Sequence, residues 1–176
     1  MKRLGIFLMV AMLILGLAGI SAAETTLEKI KRTGVFTIGT RTGSPPFAYI
    51  NKQNEWVGFS IDLARLVHKN IEKKLGQSVK FELKESTPST RIPLLSSMAV
   101  DLLAGTMTDT RPRRENVDFS LTFFVTGAQF IVKKGSPIRG VQDVAGRRIS
   151  SVQGSTNERE LRARYPQAIL VIFPDQ

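Results

Sequence analysis

From Thr26 onward, the apolar positions of this chain switch between helical spacing and short, continuous runs of strand type. Thr26–Arg32 predicts a short amphipathic helix closed by Gly34, and Val35–Gly39 a mostly apolar strand. Pro45-Pro46 breaks the pattern. Phe47–Ile50 and Trp56–Phe59 then flank the polar Asn51–Asn54 and predict a hairpin. Ser60 is the expected N-cap of a helix, with Asp62 in its first turn, where a negative charge suits the helix dipole. Ile61, Ala64, Val67, Ile71 and Leu75 recur at helical spacing up to Gly76. Val79–Leu83 predicts a strand, Ser89–Met98 a helix and Val100–Ala104 a buried strand. Strands alternating with helices predict an α/β domain with a largely parallel sheet.

The texture changes after Phe119. Leu121–Lys133 is extended, apolar and rich in Phe, Val, Ile and Thr, as expected of a crossover. Beyond the turn at Lys134–Pro137 a smaller α/β pattern begins. It predicts a helical turn at Val141–Ala145, a strand at Arg147–Val152, a helix at Ser155–Arg164 and a strand at Ala168–Phe173. The expected organisation is a leader over residues 1–23, a first unit over 24–122 and an incomplete second unit over 123–176. The last strand and the crossover would lack neighbours, so residues 24–176 alone are expected to be marginally stable.

The leader carries its own pattern. Lys2 and Arg3 precede an uncharged run, Leu4–Ile20, and Ser21-Ala22-Ala23 supplies small residues before Glu24. This is the layout of a secretory signal peptide cleaved before Glu24. No Cys follows it, which excludes a lipid-anchored form. Export to an oxidising compartment with no cysteine means that no disulfide supports the fold. It also removes thiolate metal sites and a cysteine nucleophile. The chain has 176 residues and a formal charge of +10. The basic residues are scattered, so no nucleic-acid partner is expected of an exported protein, and a small anion is the partner that the charge favours. Neither a metal nor a cofactor is expected. Asp62, Asp101 and Asp118 show no carboxylate pairing, no nucleophile elbow is present, and no catalytic residue is assigned. His68, the single histidine, is expected on the solvated side of its helix, and Trp56 and Phe59 in the core.

Candidate chemistry gathers where strands end. Gly105–Arg113 follows the buried strand Val100–Ala104 and opens a short helix, the position where open α/β sheets bind ligands. Backbone N–H groups at a helix start favour an anion, Thr106 and Thr108 add hydroxyls, and Arg113 could grip a carboxylate bidentately. Gln153–Glu158 repeats the arrangement, with Gly154 for close approach, Thr156 as a hydroxyl and Ser155/Glu158 in a capping-box pattern. Arg41 and Arg91 map to loops on the same sheet edge as Arg113. Phe47, on the rigid turn after Pro45-Pro46, is a candidate apolar wall.

Together these motifs resemble the periplasmic amino-acid-binding proteins of ABC transporters, solute-binding family 3. The resemblance is carried by Pro45-Pro46-Phe47, Gly58–Ala64, Val100-Asp101-Leu102, Gly105–Thr108 with Arg113, Val117–Ser120 and Gly154-Ser155-Thr156. Arg41 and Ser89–Leu95 are most similar to the glutamate/aspartate binders. The resemblance implies a type II, two-lobe α/β fold around a cleft, with the second lobe incomplete here, that closes on its ligand. It implies that Arg113 and Thr108 hold the α-carboxylate, Thr106 lies near the ammonium group and Thr156 contributes from the other lobe. Arg41 and Arg91 would hold a side-chain carboxylate. It further implies a monomer in the periplasm that delivers an acidic amino acid to a membrane permease and is not an enzyme. The alternative it carries is an enzyme on the same fold, of the cyclohexadienyl/arogenate dehydratase kind.

Overall fold

The structure is a computed structural model and describes residues 24–174; the leader expected over residues 1–23 lies outside the described residues. Its elements in order are α1 (Thr26–Thr33), β1 (Val35–Thr40), β2 (Gly43–Ser44), β3 (Ala48–Ile50), β4 (Trp56–Val57), α2 (Phe59–Leu75), β5 (Lys80–Glu85), α3 (Arg91–Ser96), β6 (Leu102–Leu103), α4 (Arg111–Arg114), a 3-10 turn (Val141–Val144), β7 (Arg148–Val152), α5 (Thr156–Arg164) and β8 (Ile169–Phe173). No helix among the described residues is long and apolar enough to cross a membrane.

The central sheet has the order β5-β1-β6 and is parallel throughout. Parallel neighbours require crossovers, and α2 and α3 supply them. Ile30, Phe36, Ile38, Ala64 and Val79 form the core between α1, β1 and α2, with Ile71, Leu75 and Phe81 packed against it. Helix α1 starts as its sequence demands. The Thr25 hydroxyl accepts from Glu28 N–H, Glu28 reaches back to Thr25 N–H, and Gly34 closes the far end in the left-handed conformation. Strand β6 is shorter than the predicted Val100–Ala104. The segment still runs beside β1, because Asp101 N–H donates to Thr37 O at 2.7 Å and Ala104 N–H to Gly39 O at 2.9 Å. A separate two-stranded parallel sheet pairs β7 with β8, with α5 as its crossover.

The predicted hairpin is present as β3 and β4, and the short β2 extends it. The start of α2 differs from the expectation. Its N-cap is Gly58 (φ +124°), not Ser60, and no side chain caps it. A side chain at Gly58 would run into the Phe47 carbonyl, so close approach of hairpin and helix decides this boundary rather than capping chemistry. Ser60 is instead buried, its hydroxyl 3.5 Å from Gly105 O.

Two further expectations are corrected. His68 is not solvated. Its Nε2 lies 2.6 Å from Val79 O, and its ring sits between Phe36 and Phe81, at centroid distances of 6.3 and 5.2 Å. It stands four residues after Ala64 and three before Ile71, on the stripe that packs against the sheet. Phe59 is half exposed rather than core. Between Phe119 and Lys133 no strand forms, and Leu121, Val125 and Ile131 are almost fully exposed.

Candidate functional site

The carboxyl ends of the parallel strands bring the candidate residues together. Arg41 follows β1, Arg91 follows the β5 loop, and Thr106, Thr108 and Arg113 follow β6. All three arginines are buried, at 9%, 5% and 5% relative exposure. A guanidinium is rarely buried without a use for its five donors. The common scaffold is the loop 105–108. The Arg41 side chain crosses Gly105 closely enough that a methyl group there would meet its Cγ at 3.5 Å. Arg91 Nη1 donates to Thr106 O at 3.4 Å, and Arg113 Nη1 to Thr108 O at 2.8 Å. Arg91 and Arg113 thus bond to one short loop and Arg41 packs beside it, although the three span 72 positions of sequence at the extremes.

The segment after β7 meets the same loop. Thr156 Oγ1 lies 3.4 Å from Thr108 Oγ1, and Arg113 Nη2 lies 3.5 Å from Gly154 O. Ser155 caps α5 through Glu158 N–H at 3.0 Å. The expected capping box is only half formed, because Glu158 Oε2 accepts from Gly154 N–H at 2.8 Å rather than from the N-cap residue itself. That bond, aided by Arg162, holds the Glu158 carboxyl below its ordinary pKa.

Arg113 sits in an unfavourable place for its charge. Burial lowers its pKa from the ordinary arginine value, and the like charge of Arg159 on α5 adds to the effect. A desolvated cation beside a second cation is a site where a bound anion gains more than it would in water. The anticipated helix dipole contributes little. Helix α4 has only four residues, and the N–H groups of Arg113 and Arg114 are already spent on Thr110 O. Anion attraction at this loop therefore falls to the guanidinium groups and hydroxyls.

Phe47 is not brought to the arginines by any contact. It packs edge-on against Phe124 at 4.7 Å and lies 6.5 Å from Phe59. Two open surface depressions, of about 530 and 310 Å³, also lie away from the arginines, against Trp56 and Arg65 and against Val117–Leu121. They are shallow and carry none of the chemistry gathered at the loop. Among the described residues no group of three or more carboxylates or histidines could hold a metal ion. Gly154 is legible in the sequence as a point of close approach, but the Ser89 backbone that it approaches is not.

Comparison with known proteins places these features in context. Residues 36–175 match the bacterial extracellular solute-binding proteins, family 3. A glutamine-binding protein of Geobacillus stearothermophilus is 39% identical over 155 residues, covering 87% of this chain and 58% of its own length. A glutamate/aspartate import solute-binding protein of Salmonella typhimurium is 34% identical over 157 residues, covering 84% and 52%. Among solved structures, an ancestral amino acid-binding protein described as a precursor of cyclohexadienyl dehydratase superimposes with a TM-score of 0.75 at 29% identity. That likeness covers 85% of this chain and 65% of that one. The chain therefore spans a little over half the length of the curated relatives it matches.

Proposed function

The chain belongs to the bacterial extracellular solute-binding proteins, family 3, and from that premise we propose that it captures an acidic amino acid outside the cytoplasmic membrane for an ABC-transporter permease. The observation that carries this reading is the burial of Arg41, Arg91 and Arg113 around one loop at the strand ends. Arg113 and Thr108 take the α-carboxylate, which every amino acid offers. Thr106 lies near the ammonium group, and Thr156 contributes from a second lobe beginning near residue 123. Arg41 and Arg91 take a side-chain carboxylate. The protein acts by binding and release, as a monomer, without a cofactor.

The second reading is a neutral amide ligand, favoured by the relative named as a glutamine binder. Titration calorimetry with glutamate, aspartate and glutamine separates the two. Arg41→Ala or Arg91→Ala should weaken glutamate roughly tenfold to a hundredfold, the equivalent of one charged hydrogen bond of about 1.5–3 kcal/mol. Glutamine should be affected much less. A parent protein that prefers glutamine, or an Arg91→Ala variant that loses both ligands equally, would rule out the acidic pocket and leave the family assignment intact. The enzyme reading draws on the dehydratase precursor among the structural relatives. Among the described residues the groups that meet at the loop are arginines and hydroxyls, whereas an enzyme needs a positioned acid or base. Incubation with cyclic carboxylic acids should yield no turnover.

The reading also expects export. Ser21 and Ala23 suit the −3 and −1 positions of signal peptidase. N-terminal sequencing of the exported protein should begin at Glu24, or within a few residues of it. Recovery of exported material that still starts at Met1 would contradict it.

A further inference from the structure

Gly154 is held on three sides. Its N–H donates to Glu158 Oε2 at 2.8 Å. Its carbonyl lies 3.5 Å from Arg113 Nη2. Its α-carbon rests on the first unit: a methyl group there would fall 3.1 Å from the backbone N and Cα of Ser89 and 3.2 Å from the Pro88 carbonyl carbon. Gly154 has φ +72°, a conformation that glycine enters and leaves at little cost. The turn closed by Ser155 N–H on Val152 O suits this conformation, and a further bond to Gly154 N–H restrains it more tightly.

Glu158 is placed for that task. An ordinary capping box would satisfy the N–H of the N-cap, Ser155. Here Ser155 N–H donates to Val152 O at 3.2 Å, and Glu158 passes over it to the preceding residue. Glu158 is itself fixed, because its Oε1 accepts from Nε and Nη2 of Arg162 at 3.0 and 2.9 Å, and its side chain is 15% exposed. The helix keeps its cap from the Ser155 hydroxyl whether or not Glu158 is present.

We infer that Glu158 is a positioning residue for closure: it restrains the Gly154 backbone from its N–H side so that this corner seats on Ser89 and presents its carbonyl to Arg113. This extends the reading above, in which two lobes close on a ligand, and Glu158 itself touches no ligand. Losing the carboxylate removes one of the two bonds that hold the backbone around Gly154, leaving only that of Ser155 N–H to Val152 O. The contacts with Ser89 and Arg113 then weaken together, and the two segments separate more often.

The chain has no cysteine, so a spin-label pair can be introduced at two exposed positions, Lys84→Cys and Ala163→Cys, in the full chain. Pulsed dipolar spectroscopy without ligand should give a narrow distance distribution for the parent. Glu158→Ala should give a broader and longer one. Glu158→Gln should restore the parent distribution, since its amide oxygen still accepts from Gly154 N–H. The melting temperatures of all three should agree within a few degrees. In the liganded protein, Glu158→Ala should speed glutamate dissociation about tenfold and leave association nearly unchanged. An alanine variant whose distances superimpose on the parent's would overturn the inference. So would a glutamine variant that behaves like alanine, because the ion pair with Arg162 would then be what matters. If Glu158→Ala does not fold, Glu158→Asp takes its place with the same two outcomes, being one methylene too short to reach Gly154. A parent that binds no amino acid but shows the distance shift would fail the ligand reading and leave the inference standing.

Discussion

Arg113→Ala is expected to abolish measurable binding of every amino-acid ligand, glutamate and glutamine alike. Two charged hydrogen bonds to an α-carboxylate contribute about 1.5–3 kcal/mol each. Their joint loss lowers affinity by roughly a hundredfold to ten-thousandfold. Burial raises the stake: Arg113 is 5% exposed, its pKa is held down first by desolvation and then by Arg159, and an anion there compensates a cation that has lost its water. Arg113→Lys keeps the charge and gives up the planar fork, so it should fall between parent and alanine. The lysine variant also separates lost ligand contact from a loosened loop, since Arg113 holds Thr108 O as well. Calorimetry on the three proteins decides the matter. An alanine variant within tenfold of the parent would remove Arg113 from the ligand contacts. The contrast with Arg41 and Arg91 is then the specific test, for those two should matter only when the ligand side chain is charged.

Asp101→Ala should cost about 3–5 kcal/mol of stability, the usual loss when one partner of a buried ion pair is removed. The Asp101 side chain is 1% exposed and lies 2.8 Å from Lys29 Nζ on α1. Its other oxygen accepts from Thr37 N–H of β1 at 2.8 Å. One carboxylate therefore ties α1 and β1 to the segment leading into β6. Alanine leaves an amide hydrogen and a lysine, itself only 20% exposed, without that acceptor. For a chain of this size the melting temperature should drop by roughly 6–20 °C. Asp101→Asn retains an acceptor for Thr37 and should lose less. Urea unfolding with an unchanged m-value would establish that the effect is on the folded state. A midpoint shift under 1 kcal/mol for alanine would mean that the pair is not a tether.

The rest of the fold differed in how readable it was. Helix α1 was legible to within a residue, because Thr25, Glu28 and Gly34 encode both of its ends locally. Strands β1 and β5 were legible from their apolar runs, and α5 from Ser155. The start of α2 was not, because Gly58 is chosen by the approach of the Phe47 carbonyl, which belongs to the neighbouring hairpin. The spacing of His68 carries the signal that its polarity hides: it shares the stripe of Ala64 and Ile71 and packs inward. The crossover expected over Leu121–Lys133 forms no strand, since apolar content alone provides no partner for a strand's hydrogen bonds.

By itself the sequence determined the local elements and the placing of arginines and threonines just after strands, because caps, glycines and apolar periods act over a few residues. Only the tertiary structure decided that Arg41, Arg91 and Arg113 are buried on one loop, that Glu158 reaches Gly154 rather than its own N-cap, and that Gly154 lies on Ser89. Those are contacts between segments far apart in the chain. Backbone approach and desolvation set them, and neither leaves a local signature in the order of residues.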